Sequence, residues 1–230
     1  LHLIMSCKLL IVGEAYGSDE ALRSAQRKKP SPFVGRAGFF LRDLLGLARI
    51  LPPAPTYYPG RLGMESEWDA AQDQGIFLTN TFNLRPGPDS NELDLLLGAK
   101  NKHEPDALCL DLPALRPGKY LRAEFRPELQ RLQEEIAMLN PHLVLCLGAT
   151  ATWALLKNKS ISRTRGTVSL LDGRKVLPTY HPSAILQGRN EWKPIVLADL
   201  LKAKKEMQDP SFVRLDRTIY IPETPEDIET

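Results

Sequence analysis

The chain has 230 residues, 43% of them hydrophobic, which is enough apolar material for one substantial core. Its formal net charge is only +2, so any contact with nucleic acid must come from a local basic face. No apolar run approaches the roughly 18 residues of a membrane span, and Leu1–Met5 lacks the charged start and the length of a signal peptide. We therefore expect a soluble, cytoplasmic protein with no membrane partner.

The cysteines favour neither a disulfide framework nor a thiolate metal site. Cys7, Cys109 and Cys146 are odd in number, widely spaced and without a CxxC pair. We expect three reduced thiols.

Strand and helix patterns alternate along the chain. In chain order they predict a strand at Lys8–Val12, a helix over 37–48, a strand at Ile76–Thr79, a helix over 127–139, a strand at Leu143–Leu147, a helix over 149–157, a strand at Val176–Thr179 and a final helix from Trp192 towards Met207. This alternation predicts an α/β fold: a three-layer α/β/α sandwich around a mostly parallel four-stranded sheet. In such folds ligands bind at the carboxyl ends of the strands.

Two stretches interrupt the alternation. Residues 51–75 and 86–123 mix proline, glycine and charge, and we expect both to be surface insertions in one domain that spans residues 1–208. Residues 209–230 form an acidic C-terminal tail with one possible strand at Thr218–Ile221.

Five motifs stand at or near the predicted strand ends. They are Gly-Glu-Ala-Tyr-Gly at 13–17, Pro-Phe-Val-Gly-Arg-Ala-Gly at 32–38, Thr-Asn-Thr-Phe-Asn-Leu-Arg-Pro at 79–86, Leu-Gly-Ala-Thr-Ala at 147–151 and Thr-Tyr-His-Pro-Ser-Ala-Ile-Leu at 179–186. In this order they resemble the motifs of the uracil-DNA glycosylase superfamily, and most of all its bacterial and archaeal family 4. The resemblance runs from about Leu9 to Leu200.

The resemblance implies a monofunctional DNA glycosylase of base excision repair. Such enzymes flip a pyrimidine, most often uracil, out of the DNA and hydrolyse its N-glycosidic bond. Glu14 then matches the acid that orients water and stabilises the cationic sugar, and His181 matches the donor to the negative charge that develops on the base. Ala15 stands where family 1 has a catalytic aspartate, so this role falls to Glu14.

The resemblance also implies the residues that hold the base. Asn80 matches the amide that reads the pyrimidine edge, although a rotated amide would suit cytosine equally well. Phe33 matches the aromatic ring that stacks on the base, and Ala15, Tyr16 and Gly17 line the same pocket.

The remaining site residues would contact the DNA. Ser183 and Gly148 would lie against the backbone, and Ile185 or Leu186 would fill the gap left by the flipped base. Arg165 would belong to a basic stripe beside the pocket.

Each residue also has a plainer structural interpretation. Glu14 could cap a turn or pair with Arg36, Asn80 could bind its own backbone, and Phe33 could belong to the core. A charge cluster such as the one around Arg165 is often only a solvated face.

One departure from family 4 concerns a cofactor. Family 4 proteins usually bind a [4Fe–4S] cluster through four cysteines, but Leu84 and Phe125 stand where two of these belong, and Cys7 is too close to the first strand to serve the N-terminal pair. We expect no cluster, no other metal and no cofactor, with apolar contacts from Leu84 and Phe125 in place of the cluster.

The second departure concerns the base. Tyr16 replaces the usual proline, and Gly17 lacks the tyrosine side chain by which family 1 excludes 5-methyl pyrimidines. A 5-modified pyrimidine, hydroxymethylated or glycosylated as in viral DNA, is therefore an alternative substrate to uracil. A further alternative is a non-catalytic DNA-binding module of a larger protein, whereas a nucleotide-binding protein is disfavoured because neither GxxxxGK[ST] nor GxGxxG is present. We expect a monomer whose partner is DNA.

Overall fold

A computed structural model describes residues 6–53, 64–100, 105–158 and 160–212. The strands are β1 Leu9–Ala15, β2 Ile76–Phe82, β3 Leu97–Ala99, β4 Lys119–Leu121, β5 Leu143–Leu147, β6 Ser169–Leu171 and β7 Arg174–Thr179. The helices are α1 Ser18–Arg27, α2 Arg36–Leu47, α3 Met64–Gln72, α4 Arg126–Leu139, α5 Gly148–Leu156, α6 Ile161–Thr164, α7 Pro182–Leu186 and α8 Lys193–Glu206. Short 3₁₀ turns lie at Leu93–Leu96, Pro105–Ala107, Ala123–Phe125 and Asn190–Trp192. The possible strand at Thr218–Ile221 lies outside the described residues.

The central sheet has five strands in the order β2-β1-β5-β7-β6. The four predicted strands form its parallel part, so the α/β prediction is confirmed. A fifth strand, β6, pairs antiparallel with β7 through a tight turn at Asp172 and Gly173, whose φ angles are 49° and 81°. An Asp-Gly pair between two apolar stretches is a hairpin signal, so the sequence held the information for this strand.

The alternation of side chains along the central strands builds two cores, one on each face of the sheet. Leu9, Ile11, Leu143 and Leu145 pack with α2, α3 and α8 on one face. On the other face, Leu10, Val12, Val144 and Cys146 pack with α4 and α5. The predicted three-layer sandwich is confirmed, and the fully buried strands explain the unbroken apolar runs in the sequence.

The surface assignment of residues 51–75 and 86–123 is wrong in part. The first stretch contains α3, whose Met64 and Trp68 are buried in the first core. The second contains an antiparallel pair, β3 and β4, and its Leu96 and Leu121 are fully buried in the second core. Both stretches therefore contribute to the hydrophobic core because they carry apolar side chains among their prolines and charges.

Strand β1 runs three residues beyond its predicted end at Val12 and includes Glu14 and Ala15. Gly13 pairs with Asn80 in the register between β1 and β2. Two motifs are thus fixed side by side within the sheet rather than in flexible loops. No helix within the described ranges is long and apolar enough to cross a membrane.

Candidate active site

A cleft of about 610 Å³ opens at the carboxyl ends of β1, β5 and β7. Most of the predicted site residues line it: Glu14, Ala15, Tyr16, Gly17, Phe33, Asn80, Gly148, His181, Ser183 and Leu186. Ile185 and Arg165 are not part of its lining. The fold has therefore brought five separate segments together, and four of them lie at strand ends, as expected for this class of sheet.

Glu14 is held at the end of β1 by the first turn of α5. The buried hydroxyl of Thr150 donates a hydrogen bond to Oε2 of Glu14, while no described residue hydrogen-bonds Oε1. Within the described residues Glu14 makes no ion pair, so the expected alternative of a pair with Arg36 is absent. One carboxylate oxygen is fixed and the other remains for a water in the cleft.

His181 is oriented by its neighbour Ser183 at the start of α7. The backbone N–H of Ser183 donates to Nδ1 of His181 at 3.2 Å, and the Ser183 hydroxyl lies 2.7 Å from the same atom. Because an N–H group can only donate, Nδ1 is the acceptor and the neutral ring carries its proton on Nε2. Burial lowers the pKa of His181, and the charge of Glu14 opposes this shift only in part. His181 is therefore a neutral donor through Nε2.

Gly148 gives His181 room beside α5. Its φ is +87°, and a Cβ at this position would lie 3.1 Å from the Cβ of His181. A larger residue would therefore be strained and would crowd the histidine. The predicted contact between Gly148 and DNA stays a prediction.

Phe33 both lines the cleft and packs in the core. Its side chain is 4% exposed, and its ring stacks on that of His181 with the centroids 6.1 Å apart. The backbone adopts a φ of 58°, and the indole N–H of Trp68 donates to the Phe33 carbonyl at 2.8 Å. Trp68 belongs to the stretch that was expected at the surface, so sequence reasoning missed this support for the aromatic residue.

The side chains of Asn80 and Phe33 both lie against Gly13. A Cβ on Gly13 would lie 2.2 Å from Oδ1 of Asn80 and 2.5 Å from Cζ of Phe33. Any side chain at Gly13 would displace one of them. A glycine that interrupts an apolar strand signals such a close approach of neighbouring groups.

Glu20 on α1 joins two walls of the cleft. Its Oε2 accepts from the backbone N–H of Gly17 at 3.0 Å and its Oε1 from that of Gly35 at 3.2 Å. Burial raises the pKa of Glu20, and these hydrogen bonds oppose the shift. Sequence reasoning missed Glu20, although a Glu three residues after a helix N-cap is a known capping signal.

The two unusual residues of the first motif have distinct surroundings. A Cβ on Gly17 would lie 2.8 Å from Oε2 of Glu20, so the Glu20 carboxylate fills the space that the glycine opens. Tyr16 is 5% exposed; burial raises the pKa of its phenol, and the approach of Ser24 to the hydroxyl opposes the shift. The Tyr16 ring is therefore a buried wall whose hydroxyl is directed towards α1.

The DNA-facing candidates fall into two groups. Leu186 is 42% exposed at the cleft, whereas Ile185 is 3% exposed and packs in the first core. Of the two residues expected to fill the gap left by a flipped base, only Leu186 is therefore available to enter DNA. The guanidinium of Arg165 binds both carboxylate oxygens of the buried Asp199, so it holds the loop before β6, and its contact with DNA stays a prediction.

The described residues offer no ligand set that fits a [4Fe–4S] cluster. Among the described residues no three His, Cys, Asp or Glu side chains are grouped so as to hold a metal ion. Cys7, Cys109 and Cys146 are free buried thiols, whereas such a cluster usually requires four cysteine thiolates. Leu84 and Phe125 pack against the second core, so the apolar contacts expected of them are present.

A carboxylate with one oxygen open to water, opposite a neutral histidine donor, suits the hydrolysis of a bond between a sugar and a base, which is the chemistry of DNA glycosylases. The sequence profile of the uracil DNA glycosylase superfamily matches residues 4–204. The chain belongs to this superfamily, and it is a DNA glycosylase that hydrolyses N-glycosidic bonds.

A relative supports the placement near family 4. The Type-4 uracil-DNA glycosylase of Thermotoga maritima is 29% identical over 204 residues, which cover 87% of this chain and 78% of that protein. The interpretation as a non-catalytic DNA-binding module is therefore set aside.

Glu20→Gln should lower kcat about tenfold, because the amide can accept from only one of the two loops and hydrogen bonds to a charged group contribute about 1.5–3 kcal/mol each. Single-turnover base release measures this effect. Glu124→Gln, which changes an exposed carboxylate outside the cleft, is the matched control. Equal rates for Glu20→Gln and the wild type would show that the hydrogen bonds from Gly17 and Gly35 to Glu20 do not support catalysis.

His181 should titrate below its ordinary pKa of 6.5 and carry its proton on Nε2 in the neutral form. Between the folded-state pKa and 6.5 the unfolded chain binds more protons, so the free energy of unfolding should fall as the pH drops through this window. Nitrogen-15 NMR of the His181 imidazole at a series of pH values measures both properties. A neutral ring protonated on Nδ1 would contradict this assignment.

Proposed function

We propose that the enzyme releases uracil from DNA as a monofunctional glycosylase. The observation that carries the proposal is the convergence of Asn80 and Phe33 over Gly13, beside the Nε2–H of His181. An amide offers a donor and an acceptor side by side, which complements the O4 and N3–H edge of uracil, while the aromatic face stacks on the ring. His181 then donates to O2.

Glu14 and His181 carry the chemical step of the proposed reaction. The bond between C1′ and the base nitrogen breaks, and the electron pair leaves with the base. His181 stabilises the resulting base anion through Nε2–H, and the Glu14 carboxylate stabilises the cationic sugar. Oε1 of Glu14 orients the water whose oxygen bonds to C1′, and the released proton passes to this carboxylate or to solvent.

One feature supports hydrolysis by water rather than by an amine nucleophile. Among the described residues that line the cleft there is no lysine, so none can form a Schiff base with the sugar. We also propose that the enzyme acts on DNA as a monomer in the cytoplasm.

The alternative substrate is a 5-modified pyrimidine. The absence of a side chain at Gly17 would favour it, but Oε2 of Glu20 lies where that side chain would begin. The Glu20 carboxylate therefore bounds the space that a 5-substituent of the base would need, so we favour uracil.

DNA duplexes that carry uracil, thymine, 5-hydroxymethylcytosine or its glucosylated form distinguish these substrates. We expect release of uracil alone, with Asn80→Ala and His181→Ala each slowing release about 100-fold or more, as loss of one positioned donor does in comparable sites. DNA binding should change little in both variants. Release of a modified base but not uracil would favour the alternative, and release of none by the wild type would contradict the proposal.

The enzyme works without an iron–sulfur cluster in this proposal. The support is the packing of Leu84 and Phe125 against the core and the lack of a grouped ligand set among the described residues. Protein purified under anaerobic conditions should contain no stoichiometric iron or sulfide and should keep its activity after treatment with a chelator. Iron and acid-labile sulfide near four atoms per chain would overturn this part of the proposal.

A further inference from the structure

Strand β2, which carries Asn80, is an edge strand. It pairs with β1 on one side, and no strand of the described residues lies on the other. The backbone groups on the outer side of an edge strand need other partners if they are to be held in place. Helix α4 packs beside this edge and supplies them.

Arg131 on α4 binds three consecutive residues of β2. Its Nη2 donates to the carbonyl oxygens of Asn80 at 2.6 Å and Thr81 at 3.2 Å. Its Nη1 lies 3.2 Å from Oγ1 of Thr79. The planar guanidinium thus spans the strand at the residue that faces the base, which a single ammonium group could not do.

Two carboxylates on the same helix fix the guanidinium. Glu128, three residues earlier, accepts from Nε of Arg131 at 3.1 Å, and Glu135, four residues later, accepts from Nη1 at 2.7 Å. Glu135 also accepts from the hydroxyl of Thr79 at 2.8 Å. The spacing places all three side chains on one face of α4, so the helix presents a preformed network to the strand.

The same network also binds the backbone N–H of Asn80. Its backbone N–H donates to Oδ1 of Asn83 at 3.3 Å, and the N–H of Asn83 donates to Oε2 of Glu128 at 2.7 Å. Both polar backbone groups of Asn80 are therefore bound by side chains. Arg131 and Asn83 do for this residue what a neighbouring strand would do in the middle of a sheet.

We propose that Arg131 is a positioning residue for base recognition. It does not line the cleft, so its influence on the base passes through the peptide of Asn80. The inference rests on the proposed role of Asn80 in reading the base. Displacing a recognition group by about 1 Å can cost a hundredfold in rate, and an edge strand without this anchor is free to shift by such a distance.

A double-mutant cycle tests the proposal. Arg131→Met in the otherwise native enzyme should slow single-turnover uracil release by about 10- to 100-fold. In the Asn80→Ala background the same change should have almost no further effect, because the Asn80 side chain through which Arg131 acts on the base is already absent. Equal effects in the two backgrounds would show a general structural role and overturn the proposal.

The chain offers a matched control on the same helix. Arg126 pairs with Asp111, and both side chains are exposed. Arg126→Met removes an arginine and an ion pair from α4 without touching β2, so its rate should equal that of the wild type. Arg131→Lys keeps the charge but cannot reach both carbonyl groups, so its rate should lie between those of the wild type and Arg131→Met; it also serves if Arg131→Met does not fold.

A second readout needs no substrate. Hydrogen exchange of the Asn80 backbone amide and the NMR signals of its side-chain amide should change in Arg131→Met or Arg131→Lys and remain unchanged in Arg126→Met. Unchanged Asn80 signals would overturn the proposal whatever the activity. If the wild type releases no uracil, the proposed function fails while this measurement still decides the role of Arg131.

Discussion

The absence of a side chain at Gly13 is the constraint on which the site depends. The amide of Asn80 and the ring of Phe33 come from different segments, and both occupy the space above β1 that a Cβ would fill. Each is held from its outer side, Asn80 by Arg131 and Phe33 by the indole of Trp68. The shape of the pocket thus depends on Gly13 at its centre and on the large side chains of Arg131 and Trp68 behind its walls. Such support, outside the residues that touch a ligand, is what keeps a recognition site precise.

The electrostatics of the site follow from the same packing. The Ser183 N–H fixes the tautomer of His181, and burial keeps the ring neutral although the Glu14 carboxylate lies nearby. The Thr150 hydroxyl fixes one oxygen of Glu14 at the start of α5, where the helix dipole favours a negative charge. A carboxylate and a neutral donor that line the same cleft are suited to the separation of charge when a glycosidic bond breaks. The preorganised groups need little rearrangement during the reaction.

The sequence allowed most elements and motifs to be predicted, but not the parts that support them. The strands were predictable because a parallel sheet buried on both faces leaves unbroken apolar runs. Strand β6 was overlooked despite its Asp-Gly turn, and α3 was hidden among prolines and glycines that indicated a surface loop. Trp68 and Arg131 were not predicted because their partners are distant in sequence: the Trp68 indole binds a carbonyl 35 positions away, and Arg131 binds one 51 positions away. Glu20 was overlooked despite its local capping signal, and its second partner, Gly35, lies 15 positions away.

The sequence by itself determined the class of enzyme and the candidate site residues, because their chemistry is specified by residue type in short ordered motifs. The tertiary structure alone decided which of those residues are available and how they are held. It placed Leu186 at the surface and Ile185 in the core, paired Arg165 with Asp199, and filled the space at Gly17 with the carboxylate of Glu20. Such outcomes depend on contacts between segments that are far apart in the chain, and local sequence patterns do not record them.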